Sequence, residues 1–119
     1  MLTSNLETVK HLVEAHAKSQ GLKINYSRLE QLPLRYFYDD NGYLAIAIMP
    51  HPYLDEINAY EMGYYSTKNG WALMLEAERE LKSIGVDNII MIDRSGTLDR
   101  YYTRQGYKRS ETAYTKELH

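Results

Sequence analysis

Cysteine is absent from the 119-residue chain, proline occurs three times, and phenylalanine and tryptophan once each. Without cysteine there is no disulfide staple, no thiolate nucleophile and no Cys-ligated zinc, and nothing points to an oxidising compartment. No stretch approaches the ~18 apolar residues that a membrane-spanning helix requires, and residues 1–10 are polar and include Glu7, unlike a signal peptide. The expected location is the cytoplasm, with no membrane partner. A charge excess of either sign is lacking too: 14 Lys+Arg face 16 Asp+Glu, for a formal net charge of −2. That balance excludes a surface given over wholly to nucleic acid or anionic lipid, although a local basic patch survives the test.

What is present fits one compact domain over residues 1–119, since 44% hydrophobic and 25% charged residues is ordinary globular usage. The unusual count is 12 Tyr. Tyrosine must supply packing that phenylalanine supplies elsewhere, and each buried hydroxyl then needs a partner.

Apolar Leu6, Val9, Leu12 and Val13 recur at helical spacing over residues 4–17, with Ser4 or Thr3 as cap and Gly21 just past the end. A short helix is expected over 26–32, begun by Ser27 or Asn25 and stopped before Pro33. Residues 34–38 and 43–49 read as a hairpin around Asp39-Asp40-Asn41-Gly42, where Asn-Gly accepts two positive φ angles. After Pro50-His51-Pro52 a strand is expected over 56–65, in which Gly63 marks a bulge or a close approach of another backbone.

Leu73, Met74, Ala77, Leu81 and Ile84 trace one helix face, Glu78 and Lys82 form an i,i+4 pair on the other, and Gly85 ends the helix. The continuous apolar run 88–92 predicts a strand buried on both faces, reached by a right-handed crossover. Ser95-Gly96-Thr97 can cap a helix over 98–105, and residues 110–118 alternate as a final strand. The expected fold class is mixed α+β: one mixed, mostly antiparallel sheet flanked by helices, with a parallel strand pair from the crossover.

The informative junction is Ser66-Thr67-Lys68-Asn69-Gly70, between a strand and a helix. The unpaired N–H groups and positive dipole end of such a turn suit a phosphate, and glycine at 70 would let it approach the backbone; ordinary helix capping explains the same residues. Two segments, Thr67-Lys68-Asn69-Gly70-Trp71-Ala72 and Tyr101-Tyr102-Thr103-Arg104-Gln105-Gly106-Tyr107, resemble motifs of the GNAT superfamily of acyl-CoA N-acyltransferases. The first resembles its pyrophosphate loop, with Gly70 and Ala72 matching and Thr67 replacing the usual Gln or Arg; Lys68 beside it can contribute charge. The second resembles its aromatic-Tyr-x-x-x-Gly-aromatic box. The resemblance runs from about residue 57 to 118, and residues 1–56 fit in element order alone.

It implies a single GNAT-like domain in which the parallel strands over 57–65 and 88–92 splay around the pantetheine arm of acetyl-CoA. Backbone groups of Met62 and Tyr64 would pair with that arm, the Met62 N–H facing the thioester oxygen. Thr67, Lys68, Asn69, Gly70, Trp71 and Ala72 would bind the pyrophosphate, and Ser95 would touch the arm, unless it serves only as a helix cap. Tyr102 occupies the family's general-acid position, and Glu56 the place where some members carry a base. Glu61 is the rival base, on the opposite strand face by simple alternation. For both carboxylates a solvated strand residue is the plain alternative, and for Tyr102 packing on the sheet.

The implied function is acetyl transfer from acetyl-CoA to a primary amine, of a protein or a small molecule, by direct attack and with no metal. His11, His16, His51 and His119 show no metal-ligand spacing. A second reading is a GNAT-like scaffold without catalysis, a binding or structural module such as a phage assembly would use. A third is a nucleic-acid adaptor using Arg94, Arg100, Arg104, Lys108 and Arg109, which are more simply a solvated helix face. Nucleic acid is not the expected partner, and a homodimer is left open.

Overall fold

The computed structural model describes residues 1–110 and 114–118. Its elements are β1 (Leu2–Thr3), α1 (Leu6–Gln20), α2 (Tyr26–Glu30), β2 (Arg35–Tyr38), β3 (Gly42–Pro50), β4 (Ile57–Ser66), α3 (Trp71–Ser83), β5 (Asn88–Ile90) and α4 (Asp99–Arg104). The strands form one sheet in the order β1-β2-β3-β4-β5, antiparallel except for the parallel pair β4–β5. This is the expected mixed architecture, extended by β1, which pairs Leu2 with Phe37.

Helix α1 covers one sheet face, where Leu6, Val9, Leu12 and Val13 meet Leu34, Tyr36, Tyr43 and Ala45. On the other face, Ala77 and Leu81 of α3 meet Phe37, Leu44, Ile46 and Ala59. These are the helical stripes the sequence shows. The start of α1 is capped by Asn5, whose side chain accepts from the Glu7 N–H at 3.0 Å, and not by Ser4 or Thr3. Gly21 ends the helix at φ 65°, a left-handed conformation that suits glycine.

The β2–β3 turn forms without the expected left-handed Asn-Gly pair. Asp39 Oδ1 accepts from the N–H groups of Asn41 (2.7 Å) and Gly42 (3.0 Å), so a side chain performs the chain reversal. Gly42 has an ordinary φ and is needed for room, since a Cβ there would collide with the Tyr65 carbonyl on β4. Glu78 and Lys82 do not form the expected ion pair; among the described residues Glu78 is half-buried with one carboxylate oxygen unpartnered.

Two expectations fail at the C-terminal side. Residues 88–92 are not buried on both faces: Asn88 and Ile92 are exposed and Ile89 to Met91 half-buried. The final strand over 110–118 is not formed by Ser110 or by residues 114–118, while 111–113 lie outside the described residues. Both differences have one cause. Among the described residues no strand pairs with the outer side of β5, so β5 is a sheet edge.

Candidate active site

The sheet opens where β4 outruns its neighbour. Strand β5 pairs with β4 over its whole length, at Asn58↔Asn88, Ala59↔Ile89 and Tyr60↔Ile90, and ends there, while β4 continues to Ser66. The β5-facing backbone edge from Glu61 onward thus has no strand partner among the described residues, and Met62 and Tyr64 lie on that stretch. Opposite this edge the β3–β4 register slips by one: Ala45 faces Gly63 and Ile46 faces Glu61, leaving Met62 as the extra residue of a bulge. Gly63 stands at this bulge, and its close neighbour is the Tyr43 ring, whose hydroxyl would lie 3.1 Å from an added Cβ and would have to give by a few tenths of an ångström.

The bulge breaks strict alternation, and Glu61 joins Tyr43, Ala45, Met62 and Gly63 on the wall of a cavity of about 630 Å³. Its floor reaches α1 at Val13 and His16, and its mouth is bordered by Ile92, Arg94, Ser95, Leu98 and Tyr102. Glu61 is 3% exposed; its Oε2 lies 3.6 Å from Arg94 Nη1 and makes no hydrogen bond. Burial pushes the Glu61 carboxyl above the ordinary carboxylate range, although Arg94 pulls the other way. His16 Nδ1 and the Tyr43 hydroxyl are 2.6 Å apart, and the imidazole stacks on Tyr65. Burial, reinforced by Arg94, lowers the His16 pKa and keeps the ring neutral at pH 7, while burial and Glu61 push the Tyr43 phenol up.

Tyr102 is 8% exposed, stands edge-on to Tyr101 and tilted to Tyr107, and its hydroxyl is buried without a hydrogen-bond partner. Burial first, then the nearby Glu61, pushes its pKa up to about 12. Tyr102 and Glu61 thus line one cavity; Glu56 does not. It precedes β4, where its carboxylate accepts a 3.4 Å hydrogen bond from Asn58, itself bound to Asn88 at 3.0 Å.

The 67–72 segment forms the turn into α3. Thr67 binds the Asn41 carbonyl through both N–H and hydroxyl, the Lys68 N–H donates to Ser66 Oγ, and Lys68 and Asn69 are exposed. Gly70 is the N-cap of α3; just before it, Asn69 Oδ1 accepts from the Trp71 N–H at 3.0 Å, and Ala72 lies exposed in the first turn. Glycine at 70 has a reason other than ligand approach: a Cβ there would strike the hydroxyl and ring of Tyr64. The Tyr64 hydroxyl in turn meets that of Tyr101 at 3.4 Å, tying β4 to α4.

Ser95 does not cap α4. Its hydroxyl donates to Asp93, whose carboxylate also accepts from the Gly96 and Leu98 N–H groups at 2.9 Å each and so shapes the β5–α4 loop. The residues not anticipated as a cluster are His16, Tyr43 and Arg94. Gly63 is their sequence signal, a strand glycine beside a large cross-strand neighbour.

Among the described residues no helix is long and apolar enough to cross a membrane, and no group of three His, Asp or Glu side chains stands where it could hold a metal ion. No protein-family model matches the sequence, and no curated protein matches it. Solved structures do. An aminoglycoside acetyltransferase from an uncultured soil metagenomic sample, solved with sisomicin, superposes with a TM-score of 0.75 at 11% identity, over 100% of this chain and 95% of that one. The ribosomal-protein-alanine N-acetyltransferase of Brucella melitensis biovar Abortus 2308 gives 0.73 at 12% identity, over 100% and 97%. A transcriptional regulator from Bacillus halodurans C-125 gives 0.69 at 18% identity, over 99% of each chain. At these identities the likeness concerns architecture alone: the chain has the GNAT fold, a mixed sheet with one parallel strand pair flanked by helices.

Proposed function

We propose that the chain is an acetyl-CoA-dependent N-acetyltransferase that acts on a primary amine by direct attack. The observation that carries this reading is the buried, unpartnered Tyr102 hydroxyl on the wall of the cavity where β4 outruns β5. A buried hydroxyl without a partner costs roughly 1–3 kcal/mol. Nothing in the packing requires it, because phenylalanine would fill the same space.

Acetyl-CoA supplies the acyl group as an activated thioester. The free β4 edge offers main-chain groups of Met62 and Tyr64 to an extended pantetheine arm, in the manner of an added strand. At the bulge, the Met62 N–H is our candidate donor to the thioester oxygen, where negative charge develops; one such donor is worth about 3–4 kcal/mol. At the start of α3, N–H groups of Gly70, Trp71 and Ala72 are proposed to bind the pyrophosphate, with a phosphate oxygen taking the place of Asn69 Oδ1 on Trp71. Thr67 and Lys68 would border that site, and Ser95 would line the arm.

With a pKa of about 12, Tyr102 stays protonated at neutral pH and can donate a hydrogen bond to the departing sulfur. Full transfer runs uphill, since a thiol of about 8.5 is the stronger acid, so the phenol acts chiefly by stabilising the thiolate. The acceptor nitrogen must shed a proton to attack. Glu56 is the base that the family resemblance implies; it does not line the cavity and Glu61 does, which favours Glu61 in that role. Calorimetric titration with acetyl-CoA tests the reading: micromolar affinity with competition by CoA is expected, and no heat or thermal shift at millimolar ligand would sink it in favour of a scaffold role.

A further inference from the structure

The cavity runs from the free β4 edge to α1, and its two ends differ. At the α1 end the lining is mostly apolar, with Val13, Leu22, Ile24, Leu34, Tyr36 and Ala45, and its polar members are His16 and Gln20. Midway stands Glu61, the only carboxylate lining the cavity among the described residues. Two features of Glu61 point to a ligand. It is 97% buried, counting from its 3% exposure, and Oε2 makes no hydrogen bond to protein. A carboxylate so placed is costly unless a cation completes it, and among the described residues the cation paired with it, Arg94, has its side chain 66% exposed and stops at 3.6 Å.

Resting on the acetyl-transfer reading, we propose that Glu61 anchors the ammonium of a compact monocationic amine whose apolar body, aromatic or branched aliphatic, fills the α1 end of the cavity. Charge and shape fix that class. A single carboxylate matches one ammonium; a polyamine or an aminoglycoside would bring further positive charges toward Arg94 with no acid to receive them. A lysine side chain carries the right charge, but its slender stem would leave much of a cavity of about 630 Å³ unfilled. The apolar lining instead rewards a broad hydrocarbon body.

Arg94 then acts as the resident counter-ion, displaced outward when the ammonium arrives. The other titratable groups facing Glu61 are Tyr43 and Tyr102, both neutral at pH 7, and His16, held neutral by burial. Glu61 is also placed to take the ammonium proton. The free amine attacks the thioester carbonyl carbon and the C–N bond forms; the C–S bond breaks with its electron pair leaving on sulfur beside Tyr102, and the second proton on the nitrogen passes to that thiolate, giving the neutral amide and the CoA thiol.

The test is calorimetry on the full chain with 2-phenylethylamine, in the absence and presence of CoA, against 2-phenylethanol, spermidine and a lysine-containing peptide. Glu61→Gln should weaken 2-phenylethylamine at least tenfold and leave 2-phenylethanol within twofold, while Arg94→Ala should tighten the amine about threefold. The proposal is overturned if the amine binds both Glu61 forms equally, if no amine binds, or if spermidine or the peptide binds more tightly than 2-phenylethylamine. Should Glu61→Gln fail to fold, Arg94→Ala decides, and no tightening overturns it. CoA binding with an amine indifferent to Glu61 removes this inference alone. Amine binding that depends on Glu61 without CoA binding removes the transferase reading alone.

Discussion

The two faces of the sheet are built from alternate residues of the same strands, yet they differ in chemistry. Against α3 the buried cluster is Phe37, Leu44, Ile46, Ala59, Ala77 and Leu81, none more than 1% exposed and none with a polar side-chain atom. Against α1, Tyr36 and Tyr43 stand in the buried cluster, with Tyr26, Tyr38 and Tyr65 packed around it. The chain's one phenylalanine therefore lies on the dry face, next in sequence to a tyrosine on the other. Stability is concentrated on one face. Tyr64 stands at the margin of the α3 cluster, while the cavity and most of the packed tyrosines share the other face. Tyrosine suits that face because its ring packs like phenylalanine while its hydroxyl can meet a ligand or a neighbour.

Removing the ring of the dry face should give the largest effect. Phe37→Ala is expected to cost about 3–5 kcal/mol, through lost burial and a cavity that close-packed neighbours cannot refill. Tyr36→Phe, one residue away on the other face, should stay within about 1 kcal/mol, the size of a net hydrogen bond. Urea unfolding of both variants checks the contrast, and equal losses would mean that the faces are not divided in this way.

Tyr102→Phe tests the working face directly. Turnover should fall about a hundredfold, the low end for loss of a positioned proton donor, while acetyl-CoA affinity stays within about twofold. Stability should hold or rise, because the hydroxyl removed is buried and unpaired. A variant that is less stable and equally active would return Tyr102 to ordinary packing.

How far the sequence reveals this division depends on the range of the interaction. The stripes of α1 and α3 and the strand cores rest on neighbours within a turn or a pleat, and they were legible. Gly63 and Gly70 were legible as unusual but not in cause, because the Tyr43 and Tyr64 rings that crowd them arrive from other parts of the chain. Glu61 was assigned to the wrong face because a single bulge residue breaks the two-residue period on which the assignment rests. His16 meets Tyr43 across 27 positions, beyond any local pattern. Asp39 replaced the Asn-Gly turn by a side-chain hydrogen bond that competes with backbone geometry.

Gly70 lies where the dry face meets the candidate cofactor loop, so it can tell packing from binding. Gly70→Ala should destabilise the fold by about 1–3 kcal/mol, the usual cost of overpacking, through collision with Tyr64. Combining it with Tyr64→Ala should recover part of that loss, as expected for residues in contact. If the double variant is restored in stability and still fails to bind acetyl-CoA, the loop has a ligand role beyond its packing. Bulkier replacements such as Gly70→Glu would confound the two.

The smallest effect concerns pH. Burial raises the Glu61 carboxyl above its ordinary value of 4.5, against the pull of Arg94. The folded state therefore holds that proton more tightly than the unfolded chain does. The resulting stabilisation is fully present below about 4.5 and is lost as pH rises through the raised folded value. Glutamine cannot ionise, so Glu61→Gln should gain stability relative to the parent as pH climbs through that window. His16 and Glu78 titrate in both proteins and cancel to first order in the difference. Arg94→Ala should steepen the parent's loss by removing the cation that offsets burial. Paired urea unfolding curves from pH 4 to 8 would measure it. A flat difference would mean that Glu61 is already compensated on the working face, leaving no unmet charge for an incoming ammonium to satisfy.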